Sequence, residues 1–158
     1  MKTLIVYSTK YGCTEKCAKK LSEKLKGSID LVNLKEGKKI DISLYDKVII
    51  GGSIYIGKIQ NEVVNFCKDN LQKLISKKIG LFVCSMREGE SIEEQIRASF
   101  PQELRLNAVA IENFGGEFIF NKMGFLDKLI TKKVVKIDKD TSNILEDNIN
   151  NFAQLMNS

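Results

Sequence analysis

Short apolar runs alternate with helix-like patterns along this chain, and this alternation restricts the fold more than any other feature. The runs at 3–7, 46–51 and 78–85 are rich in Ile, Leu and Val and lack a polar residue at every second position. Such runs predict strands buried on both faces, as in a parallel sheet. A weaker, alternating run at 29–34 predicts an edge strand, and residues 108–113 are the candidate fifth strand.

The intervals between these runs carry apolar residues at helical spacing. The predicted helices cover residues 14–25, 61–75, 91–100 and 141–156. Strands that alternate with helices imply right-handed crossovers and an open sheet with helices on both faces. Because the sequence shows no internal repeat, linker or low-complexity segment, we predict a single α/β domain over residues 1–158.

Composition excludes several classes of protein. The chain contains no histidine, which excludes a histidine base and a histidine-ligated metal. No stretch approaches the roughly 20 apolar residues of a membrane span, and the first residues lack the pattern of a signal peptide. Four scattered cysteines are too few for a disulfide framework, so we expect a cytoplasmic protein.

The loop after the first strand, in the stretch YSTKYGCTEKCA, is a candidate anion site. It matches neither the G-x-G-x-x-G motif nor the loop that ends in Gly-Lys-Ser/Thr. The hydroxyls of Thr9 and Thr14, with Gly12 allowing close backbone approach, fit a phosphate held at a helix N-terminus. The alternative interpretation is structural, with Thr14 as the helix N-cap and Gly12 as a turn residue.

Two further loops follow the third and fourth strands, at residues 51–58 and 84–89. In a doubly wound sheet, ligands bind beyond the carboxyl ends of the strands where the strand order reverses. If the order is 2-1-3-4-5, all three loops meet at one crevice. Tyr55 and Met86 could then cover the two faces of a flat ring. The alternatives are an exposed turn tyrosine and a methionine that fills a gap in the core.

These loops resemble those of a known family. The stretch Thr9–Thr14 resembles the flavin mononucleotide (FMN) phosphate loop of flavodoxins, Ser/Thr-x-Thr-Gly-x-Thr, with Tyr11 in place of the usual Thr. The helix sequence EKCAKKL continues the likeness. The stretches KYG, GGSIYIGKI and FGGEFIF resemble the flavodoxin-domain branch that includes menaquinone-dependent protoporphyrinogen dehydrogenases.

The resemblance covers nearly the whole chain and implies a fold and a cofactor. The implied fold is a flavodoxin-like three-layer sandwich with a five-stranded parallel sheet of order 2-1-3-4-5. The implied cofactor is FMN rather than FAD, since the chain has one phosphate loop and no second Gly-rich element. The implied cofactor-binding residues are Ser8, Thr9, Lys10, Tyr11, Gly12, Cys13, Thr14, Ser53, Ile54, Tyr55, Ile56, Gly57, Cys84, Ser85, Met86, Arg87 and Gly89.

Residues 117–139 resemble the insertion in or after the last strand of longer flavodoxins. Within this segment, Lys122–Lys139 contains six Lys and two Asp, so it carries +4 of the net charge of +5. One interpretation is a solvated basic face over a packed apolar stripe. The other is a docking surface for an anionic partner, a porphyrin carboxylate or the lipid headgroups of a membrane surface. Nucleic acid is not expected, because no stacking aromatics interleave the lysines.

The cysteines do not suggest a metal site in the sequence. Cys13 and Cys17 lie on one helix face, but two thiols without further nearby ligands make a poor site. Cys67 lies on the apolar stripe of its helix and is expected in the core, and Cys84 is expected near the flavin. For Cys13, a lowered pKa near a helix N-terminus is one interpretation, but we expect a small loop residue. We therefore predict no metal and no disulfide.

Two functions follow from the resemblance. The first is an FMN-dependent oxidoreductase that oxidises protoporphyrinogen and passes electrons to a quinone. The second is an electron carrier between redox partner proteins, with no small substrate of its own. Carrier flavodoxins are typically acidic, whereas this chain has a charge of +5, which favours the enzyme. A flavodoxin-like domain that has lost its cofactor is a third possibility.

Overall fold

The apolar runs of the sequence form one parallel sheet. The computed structural model of the protein describes residues 1–118, 124, 127, 129 and 140–158. The sheet contains β1 (Lys2–Ser8), β2 (Ser28–Asn33), β3 (Lys47–Ser53), β4 (Lys78–Cys84) and β5 (Ala108–Asn113). Its order is β2-β1-β3-β4-β5 with every pair parallel. The predicted strand order is therefore confirmed.

Helices cover both faces of this sheet. They are α1 (Cys13–Ser22), α2 (Asn61–Asp69), α3 (Leu71–Leu74), α4 (Glu90–Ser99), α5 (Gln102–Asn107) and α6 (Glu146–Asn157), with 3₁₀ turns at Leu34–Glu36 and Ile42–Leu44. Alternate residues of β1 point to opposite faces, as a period of two requires. Leu4 and Val6 join the core under α2, α3 and α5. Ile5 and Tyr7 join the core under α1 and α6.

Aromatic rings fill the core on the α1–α6 face. The rings of Phe82 and Phe114 stack with their centroids 4.5 Å apart, and Phe152 meets Phe114 edge-on at 5.2 Å. Glycines on the strands leave space for these rings. A Cβ atom on Gly51 would lie 2.1 Å from the Phe82 ring, and one on Gly80 would lie 2.6 Å from Phe152. This face of the sheet therefore admits no side chain at those positions.

An antiparallel ribbon stands beyond the end of β5. It pairs β6 (Gly115–Phe118) with β7 (Thr141–Ile144), and the Leu145 N–H donates to the Phe114 carbonyl at 2.9 Å. The expectation of a helix from residue 141 is therefore wrong over 141–144. The predicted helix over 61–75 is two helices, because the chain departs from helical geometry at Asn70. Helix α5 was not predicted.

The ribbon flanks the segment that the sequence analysis treats as an insertion. Lys122–Lys139, with its predicted apolar stripe and lysine face, lies outside the described residues except at 124, 127 and 129. Within the described part of the chain, no helix combines the length and apolarity needed to cross a membrane.

The sheet order determines where loops can meet. The chain winds outwards to β2 on one side of β1 and to β3 on the other, so the strand order reverses between β1 and β3. The last residues of neighbouring strands are in register, with Ser8 beside Gly52, and Ser53 beside Cys84. The loops after β1, β3 and β4 consequently emerge side by side.

Candidate functional site

A cleft lies at the carboxyl ends of β1, β3 and β4. Ligands of doubly wound sheets bind at this edge, where the strand order reverses. The cleft is lined by Thr9, Lys10, Tyr11, Cys13, Ser53, Ile54, Tyr55, Cys84, Ser85, Met86, Gly116 and Glu117. All of these except Gly116 and Glu117 are among the predicted cofactor-binding residues. The structure thus brings the three predicted loops together.

The remaining predicted residues lie around this cleft rather than in its wall. Ile56 lines an adjoining groove on the far side of Tyr55, while Gly57 and Arg87 line another groove against α4. Gly89 is the N-cap of α4. The other three, Ser8, Gly12 and Thr14, belong to the first loop and the start of α1.

The first loop turns sharply into α1. Gly12 is the N-cap and has a φ of 97°, in the left-handed region that favours glycine. Its N–H donates to the Thr9 hydroxyl oxygen at 2.9 Å, and the Lys35 ammonium donates to the Thr9 carbonyl at 2.6 Å. Thr14 lies in the first turn of α1. The interpretation of Thr14 as the N-cap is therefore wrong, because Gly12 holds that position.

Two hydroxyls in this loop have no partner. Among the described residues, Thr14 Oγ1 and the Tyr11 hydroxyl are buried without a hydrogen bond. A buried polar group left unpaired costs about 1–3 kcal/mol, so such groups are rare in folded proteins. Thr14 lies in the first turn of α1 and Tyr11 directly precedes the N-cap, where the helix presents free N–H groups and a partial positive charge. This part of the site fits an anionic oxygen ligand.

The second loop is held at its base and strained at its tip. The Ser53 N–H donates to Gln60 Oε1 at 3.0 Å, and Gln60 Nε2 donates back to the Ser53 hydroxyl at 2.5 Å. Tyr55 and Lys58 exchange backbone hydrogen bonds across the tip. Ile56, between them, has a φ of 50°. A β-branched residue is an outlier in the left-handed region, and such strain is frequent at functional loops.

Tyr55 contacts two charged side chains. The Lys10 ammonium lies 3.3 Å from the centroid of the Tyr55 ring and 3.4 Å from an Asp127 carboxylate oxygen. The Tyr55 hydroxyl donates to the other oxygen of that carboxylate. These three side chains link the first loop, the second loop and one described residue of the predicted insertion.

The third loop is organised by a residue that the sequence analysis missed. The Ser85 N–H donates to Asn113 Oδ1 and Asn113 Nδ2 donates to the Ser85 carbonyl, both at 3.1 Å. Asn113 Oδ1 also accepts the Gly115 N–H at 3.1 Å. One buried amide at the end of β5 therefore fixes both the β4 loop and the start of the ribbon. The signal was a polar residue that ends a largely apolar strand.

The ribbon supplies the rest of the cleft wall. A Cβ atom on Gly116 would lie 2.7 Å from Met86 Cγ, so only glycine lets the ribbon approach the third loop this closely. The Glu117 carboxylate, whose side chain is nearly buried, pairs with Lys16 at 2.9 Å and accepts from the Ser142 hydroxyl at 2.9 Å. The double glycine in the sequence FGGEFIF could have indicated this close approach of the ribbon to the third loop.

The cysteines lie differently from the expectation. Cys13 is the first residue of α1 rather than a loop residue, and it is buried. The Sγ atoms of Cys13, Cys17 and Cys84 lie within 4.8 Å of one another. The premise that Cys13 and Cys17 have no further ligand nearby is therefore wrong, because the register of α1 over β4 adds the Cys84 thiol. Hydrogen bonding from Cys17 and Cys84 lowers the pKa of Cys13.

Cys67 is unlike these three. It is fully buried in the core under α2, on the other face of the sheet, as the sequence predicts. Burial raises its pKa to about 12. Its thiol therefore stays protonated and packs as a small apolar group.

Comparison with known proteins gives the family. A family model described as a flavodoxin domain matches residues 4–144. The protoporphyrinogen IX dehydrogenase [quinone] of Leishmania major is 21% identical over 145 residues, which is 86% of this chain. The chain spans 63% of the length of that relative.

Solved flavodoxins share the fold over almost the entire chain. A short-chain flavodoxin associated with a non-canonical PDU bacterial microcompartment has a TM-score of 0.62 at 16% identity, covering 98% of this chain and 95% of its own. The Fusobacterium nucleatum flavodoxin bound to flavin mononucleotide has a TM-score of 0.58 at 15% identity, covering 98% and 96%. A flavodoxin from the domain Archaea gives 0.53 at 15% identity, covering 98% and 97%. The predicted flavodoxin-like fold is confirmed.

Proposed function

This chain belongs to the flavodoxin domain family, and we propose that it binds FMN in the cleft and works as an FMN-dependent oxidoreductase. The observation that carries the proposal is the convergence of all three predicted loops on that one cleft. The expected cofactor is supported by the family match and by the FMN-bound relative with the same fold.

The first loop has the chemistry that the FMN phosphate needs. Thr14 Oγ1 and the Tyr11 hydroxyl are buried donors without partners among the described residues, and a phosphate oxygen would satisfy them. The N-terminus of α1 adds N–H groups and a favourable field for an anion. Tyr11 carries a hydroxyl at the position where the flavodoxin pattern has Thr, so the departure from the pattern keeps a donor.

The other two loops have the chemistry that a flavin ring needs. Ile54, Tyr55 and Met86 supply apolar and aromatic surface on the walls of the cleft. The hydrogen bonds of Gln60 and Asn113 hold these two loops in position without entering the cleft. These features support a site in which the flavin ring lies between two loops of fixed position.

The bound FMN supplies the electron chemistry in this proposal. The side chains then need only to bind the ring, orient it and limit access of solvent. No histidine is present to act as a general acid or base, and none is required for this role.

For the substrate, we favour protoporphyrinogen as donor and a quinone as acceptor. Support comes from the name of the Leishmania major relative and from the net charge of +5, which is unlike that of acidic carriers. The lysines of Lys122–Lys139 offer contacts to porphyrin carboxylates or to the anionic surface of a membrane. The second candidate is a carrier between redox proteins, favoured by the fold that the chain shares with small flavodoxins.

The first experiment identifies the cofactor. The purified protein should show the visible absorption of an oxidised flavin, and heat or acid should release FMN rather than FAD in about one equivalent per chain. A protein that takes up no flavin when incubated with excess FMN would remove the basis of the proposal.

The second experiment separates enzyme from carrier. Under anaerobic conditions, protoporphyrinogen should reduce the flavin and a menaquinone analogue should reoxidise it. Changing Lys128, Lys132 and Lys136 together to Gln should raise the Michaelis constant for the porphyrinogen but leave FMN bound. Raising the ionic strength should likewise raise the Michaelis constant of the parent protein, because salt screens the lysine charges. A parent protein inert to both reagents, yet reduced rapidly by a ferredoxin reductase, is a carrier.

A further inference from the structure

Three cysteine thiols from two distant parts of the sequence meet at the floor of the cleft. The Sγ atoms of Cys13, Cys17 and Cys84 all lie within 4.8 Å of one another. Cys13 and Cys17 are one helical turn apart on the face of α1 that packs on the sheet, and Cys84 is the last residue of β4. The cluster depends on the packing of α1 over the sheet and not on sequence spacing alone.

The cluster is enclosed but has an entrance. Cys17 is fully buried, Cys13 is 7% exposed and Cys84 is 3% exposed. Cys13 and Cys84 also line the cleft, so an ion can reach the three sulfurs from that side when no flavin fills it. Burial alone does not bring thiols together. Cys67 is buried on the opposite face of the sheet and is not part of the cluster.

The spacing suits coordination of one ion. A metal–sulfur bond of about 2.3 Å places three sulfurs around a trigonal ion about 4.0 Å apart. Sulfurs within 4.8 Å reach that spacing through small side-chain adjustments. Among the described residues, no fourth cysteine, histidine or carboxylate completes the group. Thiolates select Cu(I), zinc and iron–sulfur clusters, but structural zinc sites and iron–sulfur clusters take four protein ligands, so three thiolates fit Cu(I) best.

We infer that Cys13, Cys17 and Cys84 form a three-thiolate site for a soft, thiophilic cation of low coordination number, Cu(I). Cys13 begins α1, so the positive end of the helix stabilises negative charge on its sulfur. The Lys16 ammonium lies beside Cys13 and Cys17, but it pairs with the Glu117 carboxylate, which opposes its effect on the two thiols. Binding replaces the thiol protons by the metal ion and releases them to solvent, so affinity increases with pH.

The three-thiolate site is inferred without the flavin proposal, and Cys17 allows the site to be tested separately. Cys17 belongs to the thiol cluster but lies neither in the cleft wall nor among the residues proposed to hold FMN. A change at Cys17 therefore removes one metal ligand and leaves the cofactor contacts in place. Cys67 is the matched control, because it is equally buried but lies on the other face of the sheet.

The experiment is a competition for Cu(I). The purified protein, freed of flavin so that the cleft is open and with its thiols fully reduced, is titrated anaerobically with Cu(I) in the presence of a chromophoric Cu(I) chelator. We expect the parent and Cys67→Ser to retain one equivalent, and Cys17→Ser and Cys84→Ser to bind more weakly. Loss of a direct ligand should cost at least as much as the ~10–100-fold typical of outer-shell changes. Zn²⁺ in the same protocol should bind more weakly than Cu(I).

A second measurement covers the case in which a serine variant does not fold. Cys17→Ala removes the thiol without burying a hydroxyl, and Cys67→Ala is its control. Cu(I) should raise the melting temperature of the parent and of Cys67→Ala but not that of Cys17→Ala. The inference is overturned if the parent surrenders all Cu(I) to the chelator, if Cys67→Ser weakens binding as much as Cys17→Ser, or if Zn²⁺ binds more tightly than Cu(I).

Discussion

The Lys10 ammonium lies 3.3 Å from the centroid of the Tyr55 ring, so a cation occupies a face of the aromatic ring that is proposed to contact the flavin. A flavin that stacks on this face has to displace the ammonium. The displaced interactions are a cation–π contact, worth about 0.5–2 kcal/mol, and an ion pair with Asp127.

The first prediction concerns this competition. Lys10→Met should tighten binding of riboflavin, which carries the ring but no phosphate, by up to about ten-fold, because about 1.4 kcal/mol of competing contact is removed. Lys58→Met is the control, because it removes a charge from the turn that carries Tyr55 but has no contact with the Tyr55 ring. It should change riboflavin affinity little. Fluorescence titration measures the riboflavin affinity of both variants. Unchanged or weaker riboflavin binding by Lys10→Met would place the ring away from this face of Tyr55.

The second prediction concerns the unpaired Thr14 hydroxyl. Thr14→Val replaces that hydroxyl by a methyl group of similar size, which should leave the melting temperature of the cofactor-free protein unchanged or higher. FMN should bind about ten-fold more weakly, since one hydrogen bond to a charged group is lost. Riboflavin affinity should not change. Thr3→Val, at the opposite end of β1, should affect neither ligand, and an equal loss for both ligands would exclude a phosphate contact.

The third prediction concerns backbone strain at the tip of the second loop. Ile56 is 56% exposed and has a φ of 50°, where Asn is tolerated far better than a β-branched residue. Ile56→Asn should therefore stabilise the protein by about 1 kcal/mol, or roughly 2–4 °C in melting temperature. Leu44→Asn, at an equally exposed position with ordinary φ, should give no such gain. A lower melting temperature for Ile56→Asn would show that the isoleucine side chain is held by packing.

The fourth prediction concerns the contact between the ribbon and the third loop. A Cβ atom on Gly116 would lie 2.9 Å from Met86 Sδ and 3.0 Å from the Met86 backbone nitrogen, so the loop has to move. Gly116→Ala should destabilise the protein by about 1–3 kcal/mol and weaken FMN binding. A Cβ on Gly124 meets none of the described residues within 4 Å, which makes Gly124→Ala the control. Thermal melts and FMN titrations that do not distinguish the two variants would contradict the prediction.

The fifth prediction is a dependence of stability on pH. Burial raises the pKa of Glu112 above its ordinary value, so the folded state favours the protonated carboxyl. This contribution is present below the pKa of the unfolded chain and is lost as the pH rises through the folded pKa. Glu112→Gln should therefore raise the melting temperature at neutral pH, and the gain should shrink below about pH 4.5. Glu103→Gln, on an exposed helix position, should not show this trend.

The sheet was predictable because its strands have no solvent face. Parallel strands covered on both sides need continuous apolar runs, and the runs at 3–7 and 78–85 fall within one or two residues of β1 and β4. β7 was not predictable in this way. Ile144 continues the helical spacing of Ile149 and Phe152, so the sequence resembled one helix from residue 141. The strand exists because β6 pairs with it, and pairing is not a local property.

The candidate site was predictable where the chain itself forms it. Thr9 and Gly12 belong to one local turn, whose geometry follows from the glycine. Asn113 organises a loop 28 residues away, and Cys84 meets Cys13 only through the packing of α1 on the sheet. Such relationships depend on the tertiary arrangement, which apolar periodicity does not encode.

The β6–β7 ribbon has a consequence for how this protein can diverge. Phe118 is paired with Thr141, so the chain between them starts and ends at the same point of the domain. For a flexible connection between two fixed ends, each doubling of length costs only about 0.6 kcal/mol of closure entropy. Insertions between Phe118 and Thr141 should therefore be tolerated while the three loops of the cleft keep their positions.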